Sequence, residues 1–595
     1  MITSAIPDVL HSVIDILRSE PRLEICGSWV LNKNEKWSLK LQACLSVPAT
    51  VYMPEVSTWH LVVSSGTSGE TVQFFPDITD GITATFEHQD HNAISSEICS
   101  WRTGKPCLEK ALAAFGRSSW SGEPEAFLDK VVWFLQRLLA WIDAAANDEL
   151  AMKDDPLELP AFSGQSLFPL IGFKEDAGEL SFWMNYSGKW GYASTYQLRG
   201  ALSTRFISRF YDKSGRPLKI MDWAPSMPRR SKEKDSLWIV LPSLPIIPPW
   251  QAPSSWNELR TSLDSWGIDL QSILVQAGIN TRSAVKIEIP ARIMLGFPLA
   301  ERVGNKANRM HWLVISLPPL SHKTSYRKGF RATEHNHRLW DAEIAFSDNP
   351  LRWIRTANWA TDQLRTRGAA EDIACCKRIM IIGAGSLGGT VAENLIRMGI
   401  CNLNIVDSDR LVMGNLSRHV LDMGFIGYSK AAALACQLNR TLPDAKVRAL
   451  SGDFPAESEH VKDAYRACEI IVDCTGDDNV LRALSSFDWK SEKLFISLAM
   501  TWRAEGLFAY AASESSFPAI DAMAHFSRSP SPDIIENEAR PEGIGCWHPV
   551  FPASADDVQL WGAIATKFIR RVILNPGRHY EYYRQMSDGT VEREQ

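Results

Sequence analysis

The sequence is poor in paired cysteines. It has 595 residues and 11 cysteines, an odd number, and no Cys-x-x-Cys pair occurs anywhere. Structural zinc sites and disulfide frameworks both require cysteines at short, regular spacings, so this distribution favours neither. We therefore expect no zinc, mostly buried free thiols, and residence in a reducing compartment, the cytoplasm.

An excess of basic residues and long apolar segments are also missing. The net charge is -6, with 22% charged and 45% hydrophobic residues, which is an ordinary globular composition without a basic field for nucleic acid. The most apolar stretch, LWIVLPSLPIIPPW from Leu237, contains prolines and is too short to span a bilayer. The N-terminus has helical apolar spacing interrupted by aspartates instead of a cationic signal. The sequence predicts a soluble protein without a nucleic-acid or membrane partner.

No internal repeat is present, but three regions differ in pattern. Residues 1–150 combine strands with helices, which is typical of an α+β domain. Residues 151–370 are rich in tryptophan and proline and contain predicted strands, among them LSFWMNY at 180–186. Residues 371–595 alternate strand and helix. The sequence therefore predicts a multidomain α/β and α+β chain, with a middle domain of unknown role and a C-terminal Rossmann-like domain.

The third region contains a nucleotide-binding βαβ unit, KRIMIIGAGSLGGTVAENLIRMGICNLNIVDSD. A buried strand is predicted over residues 378–382, followed by Gly383, Gly385 and Gly388 in a G-x-G-x-x-G pattern. Such glycines allow backbone N–H groups to approach a phosphate at a helix N-terminus. Asp407, at the end of the next strand, is placed to bind ribose hydroxyls. This pattern alone fits an NAD-dependent oxidoreductase equally well.

Polar residues beyond this unit favour ATP over NAD. Asn415, Arg418 and Lys430 follow Asp407, and Asp477 follows a later predicted strand in EIIVDCTGDD. Cations neutralise charge on a triphosphate and on leaving pyrophosphate, whereas an NAD site needs no such set. One carboxylate together with phosphate oxygens suits magnesium. The sequence therefore predicts ATP and Mg²⁺ as cofactors.

The segments GAGSLGG, NLSRH and DCTGDD, with the D-x-D pair and the downstream lysine, resemble the adenylation domain of ubiquitin-activating enzymes. Bacterial relatives of these enzymes, of the ThiF type, activate sulfur-carrier proteins. The resemblance implies the following roles: phosphate binding by the loop at Gly385, ribose binding by Asp407, triphosphate contacts from Asn415, Arg418 and Lys430, and magnesium binding by Asp477.

Two cysteines are candidate carriers of an acyl group, because a thiolate is a good acceptor of an activated acyl group. Cys546 lies in EGIGCWHPVFP, beyond the nucleotide motifs, and a capping box at Ser554 is predicted to start the helix that follows. Cys107 precedes another predicted helix, whose dipole favours a thiolate. A structural role is favoured for Cys99, and a hydrogen-bonding or structural role for His548.

The segment GKPCL at residues 104–108 is similar to the nucleophile segment of ubiquitin-conjugating enzymes, with Cys107 in the position of the nucleophile. The His-Pro-Asn tripeptide of that family is absent. His88, His91 and Asn92 stand upstream of the cysteine at a longer spacing. The sequence therefore leaves open which residue stabilises an oxyanion.

These resemblances together identify the chain as a member of the activating and conjugating fusion enzymes of bacterial anti-phage CBASS systems. The family implies a homodimer whose substrate is the free C-terminus of a partner nucleotidyltransferase, a CD-NTase. We expect adenylation of that carboxylate, a thioester on Cys546, transfer to Cys107, and conjugation to an amine of a target protein, most often a lysine.

Three alternatives remain open on the sequence. The first is a sulfur-carrier adenylyltransferase without conjugation, the second is an NAD-dependent oxidoreductase, and the third is a scaffold without catalysis. An arginine from a second subunit would also suit the ATP site. Arg365 and Arg367 are candidates, although surface arginines are the simpler interpretation.

Overall fold

The computed structural model describes most of the chain. It covers residues 6–594 apart from 33–35, 67–68, 95–98, 109–122, 165, 199, 201–202, 228–233, 284–288, 323–329 and 529–550, and it describes only the backbone of 65–66, 69–70 and 166–169. The chain forms two compact units. One comprises Met1–Ile220 with Ser231–Asn358, and the other Met221–Arg230 with Trp359–Gln595.

In the part that the structure describes, an antiparallel sheet and two helices form the N-terminal region. Its elements are α1 (Asp8–Ser19), β1 (Leu23–Ile25), β2 (Val30–Leu31), β3 (Trp37–Cys44), β4 (Val56–Gly66), β5 (Gly69–Pro76) and α2 (Phe127–Ala146). The strand order is β1-β3-β4-β5, and β2 pairs with β3. The core lies between sheet and helices, where the Trp59 ring meets the edge of Trp141 at 6.1 Å. The predicted α+β pattern is confirmed.

The middle region is built around a sheet that closes on itself. Its elements are β6 (Ser166–Phe173), α3 (Leu180–Met184), β7 (Trp190–Gln197), β8 (Arg205–Asp212), β9 (Pro217–Ile220), β10 (Ser236–Val240), α4 (Trp256–Asp264), α5 (Leu270–Ser283), β11 (Arg292–Leu299), β12 (Arg309–Ser316), α6 (Glu334–Glu343) and β13 (Trp353–Asn358). The order is β6-β13-β12-β11-β10-β7-β8-β9, and β6 also pairs with β8. A ring of strands leaves few free edges for unwanted pairing.

A buried carboxylate organises the aromatic residues of this region. The Glu175 carboxylate is fully buried and accepts hydrogen bonds from the indole N–H groups of Trp183, at 2.9 Å, and Trp312, at 3.0 Å. Lys219 Nζ lies 3.0 Å from the same carboxylate. Burial raises the pKa of Glu175 to about 7, against the opposing effect of Lys219. The carboxylate therefore fixes two tryptophans and one lysine at a single buried point.

The predicted strand at 180–186 is wrong, because residues Leu180–Met184 form helix α3. Alternating apolar residues suggested a strand, but a capping box between Asp176 and Glu179 starts a helical turn just before them. The helix then turns Trp183 toward the buried Glu175. The local capping box and the hydrogen bond of Trp183 to Glu175 therefore favour a helix here, although the apolar residues alternate as they would in a strand.

The C-terminal unit contains a doubly wound sheet. Its elements are α7 (Thr361–Leu364), α8 (Asp372–Cys375), β14 (Arg378–Ile382), α9 (Ser386–Met398), β15 (Asn402–Asp407), α10 (Lys430–Thr441), β16 (Lys446–Ser451), α11 (Glu459–Arg466), β17 (Ile470–Asp473), α12 (Asp478–Ser486), β18 (Lys493–Met500), β19 (Gly506–Glu514), α13 (Ala519–Phe526), α14 (Ala555–Leu574), β20 (His579–Gln585) and β21 (Val591–Glu594). The order is β16-β15-β14-β17-β18-β19-β20-β21.

Strand β14 lies at the centre, with β15 and β17 parallel to it on either side. The strands that follow β14 in sequence lie on opposite sides of it, β15 and β16 on one side and β17 and β18 on the other. In open α/β sheets a ligand crevice forms at the carboxyl ends of the strands where the strand order reverses in this way. The predicted strand at 378–382 is confirmed, as are the end of α9 at Gly399, where φ is 107°, and the capping box at Ser554 that starts α14.

A short segment taken from the middle region completes this unit. Residues 221–227 lie between β9 and β10 in sequence but belong to the C-terminal unit. The Ala224 amide donates a hydrogen bond to the Pro443 carbonyl at 2.7 Å, and Trp223 packs its ring against Trp359. Both Trp223 and Ala224 are almost completely buried. We call residues 221–227 the strap.

Candidate functional site

The glycine loop, residues 383–385, joins β14 to α9 and is closely packed against its surroundings. Gly383 has φ of 91°, in the left-handed region that favours glycine, and its amide donates to the Val406 carbonyl at 2.9 Å. A Cβ on Gly388 would lie 1.9 Å from the Gly383 carbonyl oxygen. A Cβ on Gly385 would meet nothing within 4 Å. Gly383 and Gly388 therefore serve the fold, whereas Gly385 leaves the approach to the loop open.

Asp407 shapes the loop from the end of β15. One of its carboxylate oxygens accepts a hydrogen bond from the Ala384 amide at 2.6 Å, and the other accepts from the Asp409 amide at 2.7 Å. Burial raises the pKa of Asp407. An ionised carboxylate has about four lone-pair sites, so two remain for ribose hydroxyls. Asp407 can therefore position the loop and bind a nucleoside together.

A cavity of about 500 Å³ opens beside this loop, within the range of small-molecule sites. It is lined by Ile382, Gly383, Gly385, Val406, Asp407, Ser408, Asp409, Lys430, Gly452, Asp453, Phe454, Cys474, Thr475, Asp477, Asn479 and Val480. Five residues predicted from the sequence thus meet in one place, Gly383, Gly385, Asp407, Lys430 and Asp477, together with Asp409, the second aspartate of the D-x-D pair. Phe454 and Asn479 are lining residues that sequence reasoning missed. We call this the nucleotide cavity.

Three helices begin at the nucleotide cavity. Gly385 and Asp477 are the N-caps of α9 and α12, and Lys430 is the first residue of α10. Helix N-termini carry unsatisfied N–H groups and a partial positive charge, which favour phosphate. The Lys430 side chain is mostly buried, and its Nζ lies 2.8 Å from the Asp409 carboxylate. The cavity therefore combines backbone dipoles, one positioned cation and carboxylates at its rim.

Asn415 and Arg418 lie outside the lining of the nucleotide cavity. The Asn415 carboxamide accepts a hydrogen bond from the Val412 amide at 3.2 Å. The Arg418 guanidinium donates to the Phe551 carbonyl and lies over the Phe551 ring, 5.7 Å from its centroid. Arg418 lines a second cavity, of about 490 Å³, between α9 and the start of α14. In this structure Arg418 therefore holds the chain that leads into α14.

His419 is a site residue that the sequence analysis quoted without a role. The Leu421 amide donates to its Nδ1 at 3.1 Å, so Nε2 carries the proton and donates to the Ala384 carbonyl at 2.7 Å. Burial lowers the pKa of His419. A neutral histidine thus links the NLSRH segment to the glycine loop. The one sequence signal for a role of this histidine was that it directly follows Arg418 in the NLSRH segment.

Cys107 lies in a tight segment on the other unit. The amide of Cys107 donates to the His88 carbonyl at 2.7 Å. A Cβ on Gly104 would fall 2.5 Å from the Asn92 carboxamide oxygen, which explains the glycine three residues before the thiol. Asn92 is buried, and its side-chain nitrogen donates to the carbonyls of Ile82 and Ala84. Asn92 therefore holds the backbone together and has no N–H left for an oxyanion.

Some predicted residues lie outside the described part of the chain, and others have a different environment from the one predicted. Cys546 and His548 lie outside the described residues, as does the predicted helix after Cys107. Arg365 is not a surface arginine, because it is buried and ion-paired with Asp444 at 2.6 Å. The expected burial of most thiols is also wrong. Among the described cysteines Cys468 alone is buried, and the others are half-buried or exposed.

Two absences hold for the described part of the chain. No group of three or more His, Cys, Asp or Glu side chains there could hold a metal ion. No helix there combines the length and the apolar content that crossing a membrane would require. A metal at the nucleotide cavity would therefore depend on ligands from the nucleotide itself, as magnesium bound with ATP does.

The parallel strands β14 to β18, the glycine loop and the acidic and basic groups around the nucleotide cavity are those of an ATP-dependent adenylation enzyme. In agreement, residues 363–514 match the ThiF family and residues 148–359 match the Cap2 central linker domain. The chain is 49% identical over 593 residues to the ATP-dependent ubiquitin transferase-like protein Cap2 of Enterobacter hormaechei subsp. hoffmannii, covering 100% of this chain and 99% of that protein. The chain belongs to the Cap2 family.

Shorter or more distant similarities are also present. A Cap2 protein of Pseudomonas aeruginosa is 32% identical over 108 residues, which are 18% of this chain and 19% of that protein. Among solved structures, E. coli MccB with ATP is 13% identical, with a TM-score of 0.26, over 38% of this chain and 65% of that chain. The prediction of an enzyme for ATP-dependent, ubiquitin-like activation and conjugation is confirmed by the family, and the oxidoreductase alternative is not.

Proposed function

We propose that this enzyme adenylates the C-terminal carboxylate of a partner protein in the nucleotide cavity and passes it through two thioesters to an amine. The observation that carries the proposal is the convergence of three helix N-termini with Lys430, Asp407 and Asp477 on one cavity. These groups suit a nucleoside triphosphate and the charge that develops when its α-phosphate is attacked.

The first step is adenylation. A carboxylate oxygen of the partner attacks the α-phosphorus of ATP, the bond to the β-phosphate breaks, and pyrophosphate leaves. The backbone of the glycine loop and Lys430 bind the phosphates, and Asp407 binds the ribose. Asp477 would hold magnesium, with phosphate oxygens and waters as the other ligands. Magnesium would neutralise charge on the phosphates.

The second and third steps exchange acyl bonds. The Cys546 thiolate attacks the carbonyl carbon of the acyl-adenylate, and AMP leaves. Cys107 then attacks the thioester, the Cys546 thiolate leaves, and finally a target amine attacks and releases Cys107. Phe551, which Arg418 holds, lies five positions after Cys546 in the sequence.

The partner and the assembly state complete the proposal. Membership of the Cap2 family supports a CD-NTase as the carboxylate donor. Exposed apolar side chains between β15 and α10 support a homodimer, because soluble monomers seldom expose several in one short segment. These side chains are Val412, Met413, Met423, Ile426 and Tyr428.

One experiment tests the relay. The protein is incubated with ATP, magnesium and the CD-NTase, and thiol-sensitive adducts are compared for wild type, Cys546→Ala and Cys107→Ala. We expect Cys546→Ala to form no adduct but to retain pyrophosphate exchange. Cys107→Ala should accumulate the first thioester and form no conjugate.

Cys436→Ala serves as the matched control, since Cys436 is an exposed thiol on α10. It should behave as wild type does. Adducts on both Cys546→Ala and Cys107→Ala would refute the relay, and conjugation by Cys107→Ala would favour an adenylyltransferase that needs no conjugating cysteine.

A further inference from the structure

The backbone places His88 directly across from Cys107. Gln89 and Pro106 form an isolated antiparallel bridge. Its two flanking hydrogen bonds run from the Asp90 amide to the Lys105 carbonyl, at 2.9 Å, and from the Cys107 amide to the His88 carbonyl, at 2.7 Å. In an antiparallel register the residues before and after a pair oppose each other. His88 and Cys107 are therefore cross-strand neighbours.

Cross-strand neighbours have Cβ atoms roughly 4.5–5.5 Å apart, which is close enough for an imidazole to reach a thiol. The His88 backbone is unusual at this point, with φ of 53°. The left-handed region is uncommon outside glycine, although histidine enters it more readily than most residues do. Such outliers concentrate at functional sites, where the surrounding structure holds them.

Glu158 orients the ring of His88. The Nδ1 atom of His88 lies 2.7 Å from a carboxylate oxygen of Glu158. The His88 side chain is only 14% exposed, whereas that of Glu158 is 45% exposed. With Nδ1 against the carboxylate, Nε2 is the nitrogen that can act on a neighbouring group. The contact has an ion-pair distance but not the geometry of a hydrogen bond. A carboxylate so placed can stabilise the positive charge that forms on the ring when Nε2 takes a proton.

Two other ionisable side chains near Cys107, those of Arg102 and Glu87, have different surroundings. The guanidinium of Arg102 donates to the Asn92 carbonyl at 3.0 Å. Glu87, next to His88, has a pKa raised by burial and by the nearby Asp148. The ionisable groups around His88 are thus Glu158, Glu87 and Asp148, with Lys105 on the opposing segment.

We propose that His88, oriented by Glu158, is the base that serves Cys107. This inference rests on the proposed function. The imidazole Nε2 takes the Sγ proton as Cys107 attacks the thioester carbonyl carbon. A new S–C bond forms on Cys107, the S–C bond to Cys546 breaks, and the departing thiolate takes the proton back from the imidazolium. No oxidant, reductant or further reactant is needed.

The first test measures the thiol without any partner. Cys107 in the full chain is alkylated with iodoacetamide from pH 5.5 to 9.5, and its rate is read from the peptide mass spectrum. Wild type should react well below the ordinary thiol range near pH 8.5. His88→Asn, which tolerates the left-handed backbone, should react at least ~10-fold more slowly at pH 7, with its inflection shifted upward. Glu158→Gln should fall between the two.

His91→Gln is the matched control, because His91 lies in the same segment and should leave the profile unchanged. Folding is checked by the thermal midpoint. If His88→Asn is unstable, Glu158→Gln carries the test, since Glu158 is exposed enough to tolerate replacement. An alkylation profile that neither His88→Asn nor Glu158→Gln alters would overturn the proposal.

The second test follows acyl transfer from a preformed Cys546 thioester in a single turnover. His88→Asn should slow the appearance of the Cys107 thioester by ~10²- to 10⁴-fold, as is usual for loss of a positioned base. Pyrophosphate exchange should be unchanged, because it occurs on the other unit. Unchanged transfer would refute the role of His88. Slowed alkylation with conjugation that survives Cys107→Ala would uphold the base and refute the relay.

Discussion

At the residue scale, the glycines around the start of α9 have different roles: Gly388 is required by the fold, and Gly385 keeps the approach of the proposed ligand open. Gly388 packs against the Gly383 carbonyl with no room for a methyl group, whereas Gly385 has ordinary backbone angles and open space. The two positions are three residues apart, Gly385 at the N-cap of α9 and Gly388 in its first turn, and they provide an internal comparison.

Gly388→Ala should lower the free energy of unfolding by about 3 kcal/mol, because backbone must move to admit the Cβ. Gly385→Ala should leave it within about 0.5 kcal/mol. It should nevertheless weaken ATP binding by about tenfold, since the methyl group would occupy the phosphate approach. Thermal unfolding and calorimetric titration with ATP check both. Equal destabilisation by the two variants would contradict the assignment.

His419 makes a pH-dependent contribution to stability. Its folded-state pKa is lowered by burial, while the unfolded chain takes up a proton near pH 6.5. The unfolded state therefore binds more protons as pH falls below about 6.5, and stability is lost in that range.

His419→Gln should cost about 1–2 kcal/mol at pH 7.5, because two buried hydrogen bonds are weakened. The difference from wild type should shrink toward pH 5.5, since the variant has no proton to gain there. Urea unfolding at the two pH values gives the measurement. A difference that stays constant with pH would show that His419 does not titrate on unfolding.

At the element scale, the start of α12 combines a helix cap with the predicted metal ligand. The Asp477 carboxylate accepts a hydrogen bond from the Asn479 amide at 2.8 Å. Asparagine caps helices as well as aspartate does, so Asp477→Asn removes charge while it keeps the cap. We expect an unchanged thermal midpoint and a magnesium requirement for pyrophosphate exchange that rises at least ~10-fold. An unchanged magnesium titration would exclude Asp477 as a ligand.

The buried carboxylate beside α3 should dominate the stability of the middle region. Glu175→Ala leaves two buried indole N–H groups without their acceptor and removes one of the two carboxylates beside Lys219, at a cost of about 3–5 kcal/mol. Glu179→Ala is the control, because Glu179 also lies near Lys219, at 3.1 Å, but is partly exposed. It should change stability by less than about 1 kcal/mol. Chemical unfolding followed by tryptophan fluorescence distinguishes them.

Elements with strong local patterns were predictable from the sequence, and long-range arrangements were not. The β14–α9–β15 unit follows from an apolar run, spaced glycines and a terminal aspartate, all within about 30 residues. The closure of the middle sheet through β6 and β8 has no local signal. The same holds for Arg418 on Phe551 and for Asn92 beneath Gly104, because distant segments create those contacts.

At the scale of the whole molecule, the exposed apolar segment between β15 and α10 bears on assembly. Met423 is 78% exposed and Tyr428 is 61% exposed. If they form the homodimer contact, Met423→Glu should give a monomer in sedimentation velocity, because a charge buried in an apolar interface is costly. Ile520→Glu is the control, since Ile520 is 88% exposed in another part of the chain. A dimer that survives Met423→Glu would place the interface elsewhere.

Because the strap belongs to the C-terminal unit, the chain passes from one unit to the other three times. The crossings fall at residues 220–221, 230–231 and 358–359. A single proteolytic nick at 220–221 or at 230–231 leaves the two units covalently joined, whereas a nick at 358–359 releases residues 359–595 and leaves the strap on the other fragment. A C-terminal fragment that starts at residue 359 would lack Trp223 and would expose the apolar surface that this residue covers. A chimera that exchanges the adenylation unit between two relatives must therefore also exchange the seven residues of the strap, which are distant from that unit in sequence.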